Sequence, residues 1–192
     1  MQSPNHVPVD VPALGATLAS LADLTAEQGP WRSGAFEALA TSGMLAGFIA
    51  PEDGGSGMTE TDIVAALVAS AERCLTTALG LTQWAAAVRL IAGGPEPLRR
   101  RLLPALARGE SPTTVGISHL TTSRRHLGRP VLAASRDGDH WRLDGLCPWV
   151  TGADSAASIV TGAACDDGGQ AFFVVPTDAD GLVVEPPLTM LA

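Results

Sequence analysis

Ser118 and His119 set a hydroxyl beside an imidazole, and with any Asp of the chain they would supply the parts of a nucleophilic triad. "PEDGGSGM" (51–58) is a glycine-rich loop of the kind that can wrap a phosphate. "CPWVTGAD" (147–154) carries Trp149 two positions before Thr151, at the start of a Thr-Gly-Ala turn. An aromatic face and a hydroxyl at a strand end suit a flat heterocycle. The ring packs on the aromatic, and main-chain N–H groups freed at the strand end bond its carbonyls and nitrogens.

Each stretch also has a plain structural use. Neighbours on a strand point to opposite faces, so Ser118 and His119 do not pair readily, and no Gly-x-Ser-x-Gly elbow accompanies them. They read as polar residues of a strand. In the loop, Gly55-x-Gly57 opens a G-x-G-x-x-G whose last position is Glu60, and no βαβ unit surrounds it. A tight turn delivering Thr59 as a helix N-cap accounts for the glycines. In "CPWVTGAD", Pro148 confines a strand to an edge or an end and Gly152 starts a turn. Spacing alone leaves strand end and ligand edge both open. Trp84 shares a helical stripe with Leu81 and Val88 and reads as core; Trp31 and Trp141 read as structural, Trp141 on an alternating strand.

Composition narrows the function classes. The 192 residues carry a net charge of −8, which disfavours a phosphate-neutralising face for nucleic acid. Arg99-Arg100-Arg101 reads as a solvated helix face. All 12 cations are Arg, so a Schiff-base lysine and a P-loop lysine are excluded. Cys74, Cys147 and Cys165 are odd in number and widely spaced, with no C-x-x-C and no H-E-x-x-H, and a metal centre is not expected. Free buried thiols, no signal-peptide pattern and an apolar run (63–92) broken by Glu72, Arg73, Gln83 and Arg89 point to a cytoplasmic protein with a buried helix pair and no membrane span.

The elements change character near residue 110. Before it, "WRSGAFEALATSGMLAG" keeps a helical period from Pro30 to glycine. Thr59 with Asp62 opens a long helical stretch in which Gly80 marks a packing point or a break, and Gly93-Gly94-Pro95 ends it. "PEPLRRRLLPALARGE" forms one more helix, which Pro104 kinks or shortens. After it the period is two. Asp137-Gly138 and Asp144-Gly145 mark turns, and "SAASIVTGAAC", "QAFFVVP" and "GLVVEPP" read as strands. The expected architecture is α+β. A helical bundle over 1–110 precedes a small antiparallel β-barrel or meander over 111–192.

The order of motifs resembles the acyl-CoA dehydrogenase family. "GMLAGFIAPEDGGSGM" is similar to its helix ending in Gly followed by a Pro-acidic-x-Gly-Gly-x-Gly loop. "IAGGPEPLRRRLLPALARGE" is similar to its helix closing on Leu-Pro-x-hydrophobic-Ala-x-Gly-Glu. "ASRDGDHWRLDGLCPWVTGADSAASIVTGA" resembles its central β-domain. The resemblance implies an FAD-dependent oxidoreductase removing a proton and a hydride from adjacent carbons of an acyl-CoA or acyl-carrier thioester. It implies a flavin site of Ile117, Ser118, Trp149, Val150 and Thr151. There Trp149 lies beside the isoalloxazine, Thr151 bonds its edge near N5, and Ser118 stands where the family has Thr. Leu81 and Trp84 would line an acyl tunnel.

Two departures matter. The family's Gly-Ser-Asp is replaced within "GISHLTTSRRHLGRP", where Arg124, Arg125 and Arg129 could meet a phosphate or only solvent. The chain ends at "PPLTMLA", where the family continues into helices carrying its catalytic carboxylate, and none of the Glu residues here takes that place. The expectation is a truncated chain, or one completed by a partner chain supplying the C-terminal helical domain. A non-catalytic interaction module and a flavin-dependent monooxygenase half on the same scaffold are the other readings.

Overall fold

The computed structural model describes residues 9–121 and 130–186, so Arg124, Arg125 and Arg129 lie outside the described residues. Helices come first: α1 (Val11–Ser20), α2 (Ala22–Gln28), α3 (Ala35–Thr41), α4 (Met44–Gly47), α5 (Glu60–Arg73), α6 (Leu75–Ala92) and α7 (Glu96–Ala107). Strands follow: β1 (Thr113–Gly116), β2 (Leu132–Asp137), β3 (His140–Gly145), β4 (Ser158–Cys165) and β5 (Gln170–Pro176), with a one-turn helix α8 (Ser118–Thr121) directly after β1. No helix among the described residues is long and apolar enough to cross a membrane.

Local chemistry sets the boundaries. Thr59 caps α5, its hydroxyl accepting from the Asp62 N–H at 3.2 Å and donating to the Asp62 carboxylate at 2.7 Å. The helical period from Pro30 to Gly47 is not one helix. Gly43, at φ +79°, divides it into α3 and α4. The long stretch breaks at Cys74, whose backbone is extended, and not at Gly80. Gly80 is the packing point, because a Cβ there would lie 2.6 Å from the Pro30 ring. Pro104 neither ends nor shortens α7, which continues to Ala107. Its ring lies against Gly54, while the carbonyl it leaves unpaired belongs to exposed Arg100.

The sheet is mixed and open, not a closed antiparallel barrel or a simple meander. Hairpins β2–β3 and β4–β5 are antiparallel, but β4 runs parallel to β1 through its first half and to β2 at its end. Asp137-Gly138 does turn a hairpin, with Gly138 at φ +61°. Asp144-Gly145 does not. Gly145 ends β3 opposite Leu132, so close to the Val131 carbonyl that no side chain fits. Residues 181–186, the described part of "GLVVEPP", are coil.

One core crosses from helices to sheet. Leu18, Leu39, Met44, Leu45, Leu81, Trp84, Ile91 and Leu103 pack in a cluster that also holds Val115 of β1 and Val160 of β4. The expected buried helix pair is buried on one side only. α6 contributes a full stripe, whereas Val64 and Val68 of α5 are exposed. Cys74 is buried, but Cys147 and Cys165 are only half-buried, and all three are free. Leu81→Ala should therefore cost about 2–5 kcal/mol and Val64→Ala under about 0.5 kcal/mol. Urea unfolding midpoints of the two variants check this; equal shifts would contradict the assignment of the core.

Candidate functional site

Residues 146–154 leave β3, cross the end of β1 and turn back toward β4. Leu146 starts the crossing with its N–H on the Val131 carbonyl at 3.0 Å. The crossing is close because position 116 has no side chain. A Cβ on Gly116 would lie 2.5 Å from Cys147 Sγ and 2.8 Å from Val150 Cγ2. The Gly116 carbonyl then accepts from the Cys147 thiol at 3.2 Å and from the Thr161 hydroxyl at 2.8 Å. On either side, the Thr114 hydroxyl donates to the Thr151 carbonyl at 2.8 Å and the Ser118 hydroxyl to the Pro148 carbonyl at 2.7 Å. The Thr114 and Ser118 hydroxyls thus hold the segment at its main chain, and its own Cys147 thiol ties it down to the end of β1.

Under it lies a buried imidazole. His119 Nε2 is 2.7 Å from the Gly162 carbonyl, which can only accept, so Nε2 carries the proton. Nδ1 faces Cys147 Sγ at 3.7 Å. Burial pushes the Cys147 thiol above its ordinary range, which keeps it an S–H donor in this cluster. The expectation that Ser118 and His119 sit on a strand is corrected: both lie on the one-turn helix α8, with Ser118 bonded to the Pro148 carbonyl and His119 set between Gly162 of β4 and Cys147. Among the described residues no Ser–His contact forms a triad.

What the segment offers outward is an aromatic face and main-chain donors. Trp149 is 68% exposed and is the non-glycine residue with positive φ, 60°, among the described residues. A left-handed backbone at a Trp costs about 1 kcal/mol and persists only where the surroundings impose it. Among the described residues, the N–H groups of Trp149, Val150 and Thr151 meet no acceptor. Ile117, joining β1 to α8, is half-buried against the core. The residues expected at a flavin edge (Ile117, Ser118, Trp149, Val150 and Thr151) are thus brought together at the end of β1.

The helical residues are placed elsewhere. Leu81 is wholly buried in the core, while Trp84 reaches an open cleft of about 630 Å³ with Trp31, Phe36, Glu37, Ser111 and Arg108 on its walls. A second cleft of about 570 Å³ lies beside the 51–58 loop, lined by Phe48, Met58 and Asp62. Neither includes Trp149 or Thr151. Near the loop, Asp53 is buried against Arg99 at 3.3 Å, a structural tie from the 3-10 turn Pro51–Asp53 to α7. Among the described residues no cluster of His, Cys, Asp and Glu could hold a metal ion.

Sequence reasoning missed Thr114 and Gly116, and it missed the ties that His119 and Cys147 make. Their partners are about 14 to 45 positions away, and neither period nor local motif marks such ties. Gly116→Ala should cost about 1–3 kcal/mol through the clash with Cys147 and Val150. Adding Cys147→Ala to it should recover part of that loss in thermal unfolding. A fully tolerated Gly116→Ala would show that the close pass is not required.

Comparison with known proteins bears on the fold. Residues 16–110 match the family model described as the acyl-CoA dehydrogenase N-terminal domain. No curated protein matches the chain. Among solved structures, a glutaryl-CoA dehydrogenase from Mycobacterium smegmatis in complex with FADH2 aligns with TM-score 0.71 and 23% identity over 91% of this chain and 47% of that one. An acyl-CoA dehydrogenase from Bacillus anthracis complexed with FAD aligns with TM-score 0.74 and 17% identity over 98% and 34%. FkbI, described as acting in biosynthesis of a methoxymalonyl extender unit, aligns with TM-score 0.70 and 25% identity over 87% and 48%. This chain spans from about a third to about half the length of these structures. Residues 16–110 thus match the N-terminal domain of the acyl-CoA dehydrogenase family, and the helices and sheet together carry the fold of these structures' matching parts.

Proposed function

We propose that this chain is the flavin-facing part of an FAD-dependent oxidoreductase acting on CH–CH groups of acyl thioesters, working in the cytoplasm. The observation that carries the reading is the outward ring of Trp149, at φ 60°, beside the unengaged N–H groups of Trp149, Val150 and Thr151. A flavin ring presents a flat apolar face and, along one edge, carbonyl and nitrogen acceptors. The segment offers the complement of both, so the residues present fit the group. Solved relatives described as complexes with FAD or FADH2 support the choice of cofactor.

In this reading Trp149 covers the isoalloxazine, while Val150 and Thr151 donate to its edge. Ile117 backs the site with apolar surface. Ser118 acts through the Pro148 carbonyl, fixing the peptide that leads into Trp149. FAD, when bound, supplies a two-electron acceptor. The chain's own residues orient it and shield one of its faces from water. The acyl-CoA or acyl-carrier thioester is the proposed substrate. Leu81 and Trp84 are equally buried, but only Trp84 borders the cleft, so the acyl-tunnel proposal narrows to Trp84 and that cleft. The change from helices to strands between Ala107 and Thr113 supports a domain boundary near residue 110. The complete reaction also needs a carboxylate base, which we place in the remaining helical fold of the family, contributed by more of the same polypeptide or by a partner chain.

The test is the visible spectrum and flavin fluorescence of the purified chain titrated with FAD. Uptake with quenching of flavin emission is expected, and Trp149→Ala should weaken binding about 3- to 10-fold and relieve the quenching. A wild-type chain that takes up no FAD, alone or with a C-terminal helical partner, would overturn the reading in favour of an interaction module. Bleaching by an acyl thioester without oxygen supports a dehydrogenase, whereas insertion of oxygen into a substrate would replace it with a monooxygenase.

A further inference from the structure

The segment that carries Trp149 and Thr151 is also held from the helical side. Arg32, between α2 and α3, lies 122 positions before Asp154 and grips it twice: Nη2 donates to the Asp154 main-chain carbonyl at 2.9 Å and pairs with its carboxylate at 3.2 Å. Beside it, the Trp31 ring forms the floor under Gly152. A Cβ at Gly152 would lie 2.5 Å from that ring, and Gly152 is at φ +69°, so the turn rests directly on the indole. Trp31 is itself stacked on Phe36 at 4.6 Å and 12°, and Phe36 meets Trp84 edge-on at 6.5 Å. The Trp31 Nε1 is buried with no hydrogen-bond partner among the described residues. An unmet donor there costs free energy, so packing alone sets where this ring stands.

We propose that Trp31 and Arg32 are positioning residues for the flavin edge. They fix the Gly152–Asp154 turn from the helical domain and thereby set the backbone of Trp149 to Thr151. This rests on the flavin reading of that segment. The physical case is one of leverage. Thr114, Gly116 and Ser118 hold the segment from the sheet side up to the Thr151 carbonyl. Beyond it the chain turns without strand pairing until Ser158; its far end is tied by the Ala157 N–H to Pro112 and by Thr177 to Ala156, while Arg32 and Trp31 meet its Gly152–Asp154 part from the helical domain. A left-handed Trp149 needs its flanks fixed at both ends. The Arg32 head group is partly exposed, which keeps its contribution to global stability small and makes it separable from folding.

The test uses the full chain with Arg32→Gln, Trp31→Phe and, as control, Arg100→Gln, which removes an exposed ion pair of the same kind with Glu96 on α7. Amide hydrogen exchange is read at Ser155 and Ala156, whose N–H groups donate to the Gly152 carbonyl at 3.1 and 3.0 Å. FAD affinity and the visible flavin spectrum are read in parallel. Arg32→Gln should speed exchange at both amides about fivefold and weaken FAD by a similar factor, with the unfolding midpoint nearly unchanged. Arg32→Lys should restore part of both, and Arg100→Gln should move neither.

Unchanged exchange in both Arg32→Gln and Trp31→Phe would overturn the proposal. So would faster exchange with an unaltered flavin spectrum and affinity. If the wild type binds no FAD while Arg32→Gln still speeds exchange, the flavin reading fails and the tie between helical domain and turn stands.

Discussion

The site depends on how closely residues 146–154 can pass over the end of β1. That distance is set by the bare α-carbon of Gly116. Its carbonyl collects the Cys147 thiol and the Thr161 hydroxyl, and the absent side chain leaves room for Cys147 and Val150. Polar groups that could have faced a ligand are therefore turned inward. Ser118, His119, Thr114 and Cys147 all serve the crossing, and what remains outward is an indole face and three peptide N–H groups. The chemistry of the surface follows from what has been used beneath it.

Two parts of the chain meet at that segment. The sheet holds it by hydrogen bonds to its carbonyls, while the helical domain holds its final turn through the Trp31 ring and the Arg32 grip on Asp154. The shared core explains why such a joint can be exact enough to carry a site. Val115 of β1 and Val160 of β4 pack in the same cluster as Trp84 and Leu81, so β1 cannot shift against α6 without opening apolar surface to water. The aromatic series Trp84, Phe36, Trp31 extends that core to the edge of the turn. Two clefts exist in the helical half, yet the face of Trp149 belongs to neither.

Much of the fold was legible because it rests on local signals. The Thr59 cap, the Gly93-Gly94-Pro95 stop and the Asp137-Gly138 hairpin are each decided within a few residues. Errors came where a distant partner overrides the local signal. Asp144-Gly145 carries the same dipeptide as a turn, but Gly145 is needed for close approach to Val131. At Gly80 the sequence left packing point and break both open; Pro30, fifty positions away, makes it the packing point, and the break lies at Cys74. Ser118-His119 looked like a strand because the polar pair has no helical period, and one turn of helix is too short to show any. In the site, Trp149 and Thr151 were readable as residue types, but the strand expected to end at Thr151 stops at Gly145 and both lie on the segment crossing from it. Their supports at 31, 32, 114, 116 and 119 were not, because nothing in a linear sequence records which carbonyl a hydroxyl will reach.

The account's central claim is that one short segment, held from both sides, forms the flavin edge. The most direct measurement is the amide and indole NMR spectrum of the isotope-labelled chain as FAD is added. The account predicts that the largest shifts fall on Ile117, on the N–H groups of Trp149, Val150 and Thr151, and on the Trp149 indole. Smaller ones should reach Gly152 to Asp154. Shifts centred on the 51–58 loop, or a spectrum that FAD leaves unchanged, would contradict it.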